Sequence, residues 1–153
     1  MNYNVKIKKV KPKPIKSIRM KCTIPELSKN LGESMLEVLN FLGKKGVQPR
    51  GAPVAIFHET KDQQTDVEVG IPVASPLEVD GRIQNSQTPE GKAAFTLYQG
   101  SYEKIAPAYD AITLWANEKG LKATGVWWEF YLTDPRKETD QNKWKTEIYC
   151  LLT

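Results

Sequence analysis

Glutamates alternate with aromatic residues in two strand-like runs of the C-terminal half of the chain. In one run Glu129 stands between Trp127 and Tyr131, and in the other Glu147 precedes Tyr149 by two positions. Because side chains two apart on a strand share a face, each run places a carboxylate beside aromatic rings. A carboxylate partly shielded from water attracts a cation, and each ring adds ~0.5–2 kcal/mol of cation–π attraction. This combination is typical of a site for lipophilic cations and flat aromatic compounds.

An internal duplication orders the elements that carry these residues. The run 66–73 resembles the run 145–152, and each holds one glutamate, Glu68 or Glu147, at the same position. Upstream of each run, hydrophobic periodicity and glycine placement repeat in the same order: strand, helix, glycine-closed loop, strand, strand. The repeat therefore constrains the fold of both halves.

The predicted fold class is α+β. A single domain over residues 1–153 holds a first repeat at about 5–73, a linker at 74–91 and a second repeat at about 92–153. Each repeat is a β-α-β-β unit whose helix covers one face of an antiparallel sheet. We expect the faces without a helix to meet at a pseudo-two-fold axis and to enclose a central ligand groove.

Alternation along the strands predicts which side chains face that groove. In the last strand of each repeat the apolar residues suit packing on a helix, so Glu68, Glu147 and Tyr149 should face away from it. In the neighbouring strands we take Val54, Ile56, Phe95 and Leu97 to face the helices. The residues that alternate with such helix-facing positions should then face the groove, and they include Phe57, Tyr98, Trp127, Glu129 and Tyr131. The alternative is an ordinary solvated sheet face, since aromatic pairs across strands stabilise sheets in any case.

The net charge of +4 conceals a division along the chain. Of the 22 bases and 18 acids, eight bases and no acid lie in residues 1–21, which leaves 14 bases against 18 acids elsewhere. A basic arm suits contact with nucleic acid or anionic lipid. Strict alternation in Val5-Lys6-Ile7-Lys8, however, favours an edge strand that its lysines protect from pairing with another chain. The sequence therefore argues against direct nucleic-acid binding.

The cysteines and the single histidine favour neither metal nor nucleophilic chemistry. Cys22 and Cys150 lie far apart in strand-like runs, which predicts two buried thiols in a cytoplasmic protein. His58 shares the alternation of core-like residues, so we expect it to be packed and hydrogen-bonded. Without metal-ligand spacing, no metal and no cofactor are predicted. No apolar run approaches the ~20 residues that a membrane span needs.

The second repeat resembles a known family. Three segments carry the resemblance: Tyr98-Gln99-Gly100-Ser101-Tyr102-Glu103-Lys104-Ile105, Trp128-Glu129-Phe130-Tyr131-Leu132-Thr133-Asp134-Pro135 and Lys145-Thr146-Glu147-Ile148-Tyr149. They are similar to the second-repeat signature of GyrI-like small-molecule-binding proteins. That superfamily includes the effector-binding domains of AraC-type and multidrug-responsive transcription activators and the DNA gyrase inhibitor proteins. The resemblance runs over essentially the whole chain.

The resemblance implies a duplicated β-α-β-β fold with a key groove glutamate in the last strand, here Glu147, that engages cationic or aromatic ligands. Because no DNA-binding domain is fused to this chain, we expect a stand-alone member rather than a complete transcription activator. Some stand-alone relatives hydrolyse strained cyclopropane-bearing genotoxins with paired groove glutamates. Glu129 and Glu147 would match such a pair, one acting as acid and one as base toward a water.

Three functions follow from these observations. The first is cytoplasmic binding of amphipathic, often cationic, aromatic small molecules, with Glu147 as the countercharge. The second is a cyclopropanoid hydrolase that uses Glu129 and Glu147. The third is interaction with gyrase or with a separate regulator through the basic N-terminal strand.

Overall fold

The computed structural model of the chain describes residues 3–76 and 81–153. Its helices are α1 (Leu27–Lys44) and α2 (Ala106–Glu118). Its strands are β1 (Lys6–Val10), β2 (Pro14–Thr23), β3 (Val54–Lys61), β4 (Gln64–Pro72), β5 (Gln84–Gln87), β6 (Gly91–Gln99), β7 (Ala123–Tyr131) and β8 (Lys145–Leu152). Single 3-10 turns at Ile24–Glu26, Tyr102–Lys104 and Gln141–Lys143 precede α1, α2 and β8. The predicted α+β class is confirmed.

Two compact units divide the chain. The first unit comprises residues 11–89, and the second comprises residues 1–10 and 90–153. Antiparallel pairing orders the first unit as β5-β2-β4-β3 and the second as β1-β6-β8-β7. Each unit therefore contains the predicted β-α-β-β sequence plus one extra edge strand. The edge strand of the second unit is β1, which the sequence had assigned to the first repeat.

Helix α1 covers one face of the first unit. It is amphipathic, and Val38, Phe41 and Leu42 turn inward onto Ile18 of β2 and Ile71 of β4. Each fully buried aliphatic side chain contributes ~1.5–3 kcal/mol of transfer free energy, so this stripe fixes the helix on the sheet. Pro25 in the preceding turn suits a helix start, because the first helical turn needs no amide donor from that residue.

Helix α2 covers one face of the second unit and lies on small side chains. Ala108, Ile112 and Ala116 recur every four residues and pack on Ala94, Ile148 and Cys150. Tyr109 and Trp115 pack beside this core, as predicted. Cys22 and Cys150 are buried free thiols, as predicted.

The β3–β4 hairpin contains a tight turn and a bulge. Asp62 and Gln63 both have positive φ, 54° and 66°, which is the left-handed geometry of a two-residue hairpin turn. The register shifts between Phe57 and Glu59, so His58 is the extra residue of a β-bulge. The bulge lets the His58 side chain join the face that carries Glu68.

The linker predicted over 74–91 contains β5, which pairs with β2 in the first unit. Residues 77–80 of that linker lie outside the described part of the chain. In the described ranges neither helix combines the length and the apolar character that a membrane crossing requires.

Candidate ligand-binding face

The face of the second unit opposite α2 carries paired aromatic side chains beside an acid. Antiparallel register aligns Phe95 with Tyr149 and Tyr149 with Trp128, and it aligns Leu97 with Glu147 and Glu147 with Phe130. Directly paired residues share a face, and the residues between them pack on α2. We call these six side chains the aromatic face: Phe95, Leu97, Trp128, Phe130, Glu147 and Tyr149.

Tyr149 is the centre of the aromatic face. Its ring stacks on Trp128 with centroids 5.1 Å apart and ring planes within 1° of parallel. Phe95 lies 4.9 Å away on the other neighbouring strand, and Phe130 meets Tyr149 edge-on at 6.0 Å. Such ring pairs contribute ~0.5–1.5 kcal/mol beyond their buried area, so the rings hold one another in place. Trp128, Phe130 and Tyr149 are buried, and the more accessible members of the face are Phe95, Leu97 and Glu147.

Glu147 is a half-buried residue beside these rings. Among the described residues Glu147 makes no ion pair. The residues opposite it on the two neighbouring strands are the uncharged Leu97 and Phe130. Burial raises the pKa of Tyr149 to about 12, and the charge of Glu147 and a hydrogen bond to it act in the same direction. The Tyr149 hydroxyl therefore stays protonated and donates to the Glu147 carboxylate.

Lys8 of the edge strand β1 also lies on the aromatic face. The Lys8 ammonium lies 3.8 Å from the centroid of the Phe95 ring and 5.9 Å from that of Tyr149. Both distances fall within the range of cation–π attraction. The rings of this face thus already contact one positive charge.

Glu129 lies on the helix side of the same sheet and not with Glu147. Its carboxylate accepts a hydrogen bond from Tyr131 at 2.8 Å and a second from Tyr109 of α2. Burial raises the pKa of Glu129, although both hydroxyl bonds oppose the rise. Trp127 stacks against Tyr109 at 4.8 Å on this side as well. The predicted groove orientation of Trp127, Glu129 and Tyr131 is therefore wrong.

Tyr98 and Phe57 also face the helices. Tyr98 is almost fully buried in the core under α2, and its hydroxyl donates to the Ser101 carbonyl at 2.6 Å. Phe57 pairs with Val67, which pairs in turn with Met20 on the α1 side. The prediction put Val54 and Ile56 of β3 on the helix side, but they pair with Gly70 and Glu68 on the face away from α1. In β6 the prediction put the bulky Phe95 and Leu97 on the helix side. In the second unit, small Ala94 lies under the helix and bulky Phe95 lies on the other face.

Glu68 occupies the corresponding position in the first unit and faces away from α1, as predicted. Ser17 Oγ donates to its Oε2 at 2.5 Å, and His58 Nε2 lies 2.9 Å from its Oε1. Burial raises the pKa of this carboxyl, but hydrogen bonds from His58, Ser17 and Ser86 outweigh that effect and hold the pKa below its usual value. The prediction of a hydrogen-bonded His58 is confirmed. The carboxylate of Glu68, unlike that of Glu147, is already surrounded by partners.

Sequence reasoning missed four members of the aromatic face, which are Phe95, Leu97, Trp128 and Phe130. Trp128 and Phe130 flank Glu129 in sequence, and they share an alternation of their own. Pairing β7 with β8 so that Phe130 meets Glu147 would have identified them, because residues opposite one another share a face. Within residues 3–76 and 81–153, no group of three or more His, Cys, Asp or Glu is arranged to hold a metal ion.

Comparisons with known proteins agree with this architecture. The family model of the GyrI-like small molecule binding domain matches residues 3–152. Among curated proteins, none matches the chain significantly in sequence.

Solved structures share the fold at low sequence identity. The crystal structure of the EcmrR C-terminal domain superposes with a TM-score of 0.81 at 20% identity, covering 100% of this chain and 99% of that one. EcmrR in a cryo-EM complex with DNA gives a TM-score of 0.85 at 20% identity, covering 98% of this chain and 57% of EcmrR. The present chain thus spans little more than half the length of EcmrR in that complex.

Two further structures extend the comparison. A hydrolase from Listeria innocua gives a TM-score of 0.68 at 14% identity and covers 97% of this chain and 91% of that one. SAV2435 bound to tetraphenylphosphonium gives 0.59 at 9% identity and covers 100% of this chain and 94% of that one. At these identities the likeness establishes a shared fold.

Proposed function

The chain belongs to the family of GyrI-like small molecule binding domains, and from this membership we propose that it binds amphipathic aromatic cations on its aromatic face. The observation that carries the proposal is the position of Glu147. This carboxylate has no ion-pair partner among the described residues and lies beside the stacked rings of Tyr149 and Trp128.

The chemistry of the face suits such a ligand. A cation beside Glu147 would gain charge pairing with a half-buried carboxylate, which is stronger there than in bulk water. Its aromatic body would pack on the accessible side chains of the face, Phe95 and Leu97, and each cation–π contact with a ring would add ~0.5–2 kcal/mol. Because the rings are already ordered by one another, little side-chain entropy would be lost on binding.

Two further observations support the proposal. SAV2435, which shares the fold, is bound to the lipophilic cation tetraphenylphosphonium. Two free thiols in the chain, Cys22 and Cys150, fit a reducing compartment and support the predicted cytoplasmic location. Interaction with gyrase or with a separate regulator stays a prediction, as does a groove at a pseudo-two-fold axis.

Binding is proposed in preference to hydrolysis, because the carboxylates on which the hydrolase hypothesis depended do not come together. Glu129 pairs with Ile148 on the helix side, whereas Glu147 pairs with Phe130 on the aromatic face. Both carboxyl groups therefore cannot contact one substrate atom on the same side of this sheet. The two-glutamate mechanism has no support in the geometry of the second unit.

The test is calorimetric titration of tetraphenylphosphonium into the wild type, Glu147→Gln and Glu129→Gln. We expect Glu147→Gln to weaken binding roughly tenfold, which corresponds to about 1.4 kcal/mol of lost charge pairing. Glu129→Gln is the matched control, since it removes the same charge from the helix side. Equal affinity of Glu147→Gln and wild type would refute the role of Glu147. The ligand mass, measured after incubation, is expected to stay unchanged.

A further inference from the structure

The aromatic face carries a positive charge as well as a negative one. Lys8 is an exposed residue of the edge strand β1, yet its ammonium lies over the Phe95 ring at 3.8 Å from the centroid. Glu147 belongs to the same face and lies beside Tyr149. A ligand on these rings therefore meets the Glu147 carboxylate on one side and the Lys8 ammonium on the other, on a face that Lys6 and Lys145 also share.

Strand register places these charges on opposite sides of one ring row. The row consists of Phe95, Tyr149 and Trp128, paired across three strands. Glu147 belongs to the next row on one side, and Lys8 pairs with Ala93 in the next row on the other side. Rows on one face lie ~7 Å apart along a strand, and neighbouring strands lie ~5 Å apart. The Lys8 ammonium lies over Phe95, one row and one strand away from Glu147. The distance between this ammonium and the Glu147 carboxylate is therefore on the order of 8–10 Å.

From this arrangement we propose that the aromatic face selects zwitterionic aromatic molecules, with the cationic group beside Glu147 and an anionic group, such as a carboxylate, beside Lys8. The inference rests on the proposed function and adds the charge pattern of the ligand. A purely cationic ligand meets repulsion from Lys8 over the same rings. A zwitterion of matching length replaces the repulsion at Lys8 with attraction, while its cationic group pairs with Glu147.

The neighbouring lysine supplies a matched control. Lys9 follows Lys8 on β1, so its side chain points to the other face of the sheet, and its partner in β6 is Lys92. Both lysines are exposed, and removal of either changes the net charge by the same amount. Any difference between the two variants therefore reports the position of the charge and not the total charge.

The experiment titrates two probes that share one cationic body: butyltriphenylphosphonium and (carboxypropyl)triphenylphosphonium. They are titrated at low ionic strength into the wild type, Lys8→Met, Lys9→Met and Glu147→Gln, after circular dichroism has shown that each variant is folded. We expect Lys8→Met to weaken the carboxylated probe ~3- to 10-fold and to tighten, or leave unchanged, the butyl probe. Lys9→Met should change neither affinity by more than ~2-fold.

The outcomes separate this inference from the function on which it rests. An unchanged ratio of the two affinities in Lys8→Met overturns the inference, whether or not both affinities shift together. If Glu147→Gln still weakens both probes in that case, the proposed function survives without it. If neither probe binds the wild type, or if Glu147→Gln binds both as tightly as the wild type, the proposed function falls and the inference falls with it.

Discussion

Glu129 and Glu147 lie in adjacent strands of one sheet but on opposite faces of it. Glu129 pairs with Ile148 and accepts hydrogen bonds from Tyr109 and Tyr131, while Glu147 pairs with Phe130. One carboxylate is thus hydrogen-bonded beneath α2, and the other is half-buried and has no ion-pair partner among the described residues. Substitutions at the two positions should have separable consequences.

Replacement of Glu129 should affect stability and not binding. Glu129→Leu leaves two tyrosine hydroxyls without an acceptor, at ~1–3 kcal/mol for each, whereas Glu129→Gln keeps an acceptor oxygen and removes a charge that is costly to bury. We expect denaturant titration to show a loss of about 2–6 kcal/mol for the leucine variant and about 1 kcal/mol or less for the glutamine variant.

The difference in stability between the wild type and Glu129→Gln should also depend on pH. Because the folded-state pKa of Glu129 is raised, its protonated form stabilises the fold, and that contribution is lost as the pH rises above the ordinary value of 4.5. The wild type should therefore lose stability relative to Glu129→Gln between acid and neutral pH. A widening advantage of the wild type toward neutral pH would contradict this assignment.

Glu68 should show the opposite pH dependence. Its folded-state pKa is lowered, so its contribution is present above the ordinary value of 4.5 and is lost as the pH falls through the folded-state value. We expect Glu68→Gln to lower the free energy of unfolding by about 1–3 kcal/mol at neutral pH, because His58 and Ser17 lose a charged partner. The deficit should shrink toward about pH 3, and denaturant titrations across that range measure it. A deficit that is constant with pH would show that the charge of Glu68 does not contribute.

Tyr149 should contribute to alkaline unfolding. Its pKa rises from 10.0 to about 12 on folding, so the protonated hydroxyl stabilises the fold below about pH 10, and that contribution is lost as the pH rises to about 12. The shift corresponds to about 2–3 kcal/mol. Tyr149→Phe, which keeps the ring stack, should flatten this part of the stability profile. Tyr3→Phe is the control, and an identical alkaline slope in wild type and Tyr149→Phe would refute the assignment.

Gly70 should tolerate no side chain. A Cβ at this position would lie 2.7 Å from Ile15 Cδ1 and 3.1 Å from the Lys16 carbonyl oxygen. Gly70→Ala should therefore lower the free energy of unfolding by about 1–3 kcal/mol. Gly32→Ala is the matched control, since nothing lies within 4 Å of its Cβ in α1, and it should stabilise the fold by ~0.5–1 kcal/mol. Thermal melts of both variants measure the difference, and a neutral Gly70→Ala would show that β2 moves aside.

The duplication and the helices could be predicted from the sequence because periodicity encodes them directly. The spacing of Leu and Val residues gives α1 one dominant apolar face. Alternation gives the strands that carry Glu68 and Glu147 one dominant apolar face each. In β7 and β6, by contrast, large apolar residues lie on both faces. Trp127 and Trp128 are neighbours that point in opposite directions, so hydrophobic alternation alone does not say which one lies under the helix.

The contacts that settle this ambiguity are long-range. Tyr109 of α2 bonds Glu129, and Lys8 of β1 contacts Phe95, across distances in sequence that no local pattern reports. The face on which Glu147 lies could be predicted from the alternation within β8 alone. The other members of the aromatic face depend on how β6, β8 and β7 pair. Strand register was therefore the missing information.

The different surroundings of Glu68 and Glu147 have a consequence for how this chain can change over generations. Loss of Glu68 is expected to reduce the amount of folded protein in the cell, whereas loss of Glu147 should leave expression intact and alter only what is recognised. Mutations at Glu147 and at the accessible positions beside it can thus be sampled without passing through poorly folded intermediates. A library aimed at new ligands would vary the accessible Phe95 and Leu97 and leave the buried Trp128 and Phe130 and the hydrogen-bonded cluster of the first unit untouched.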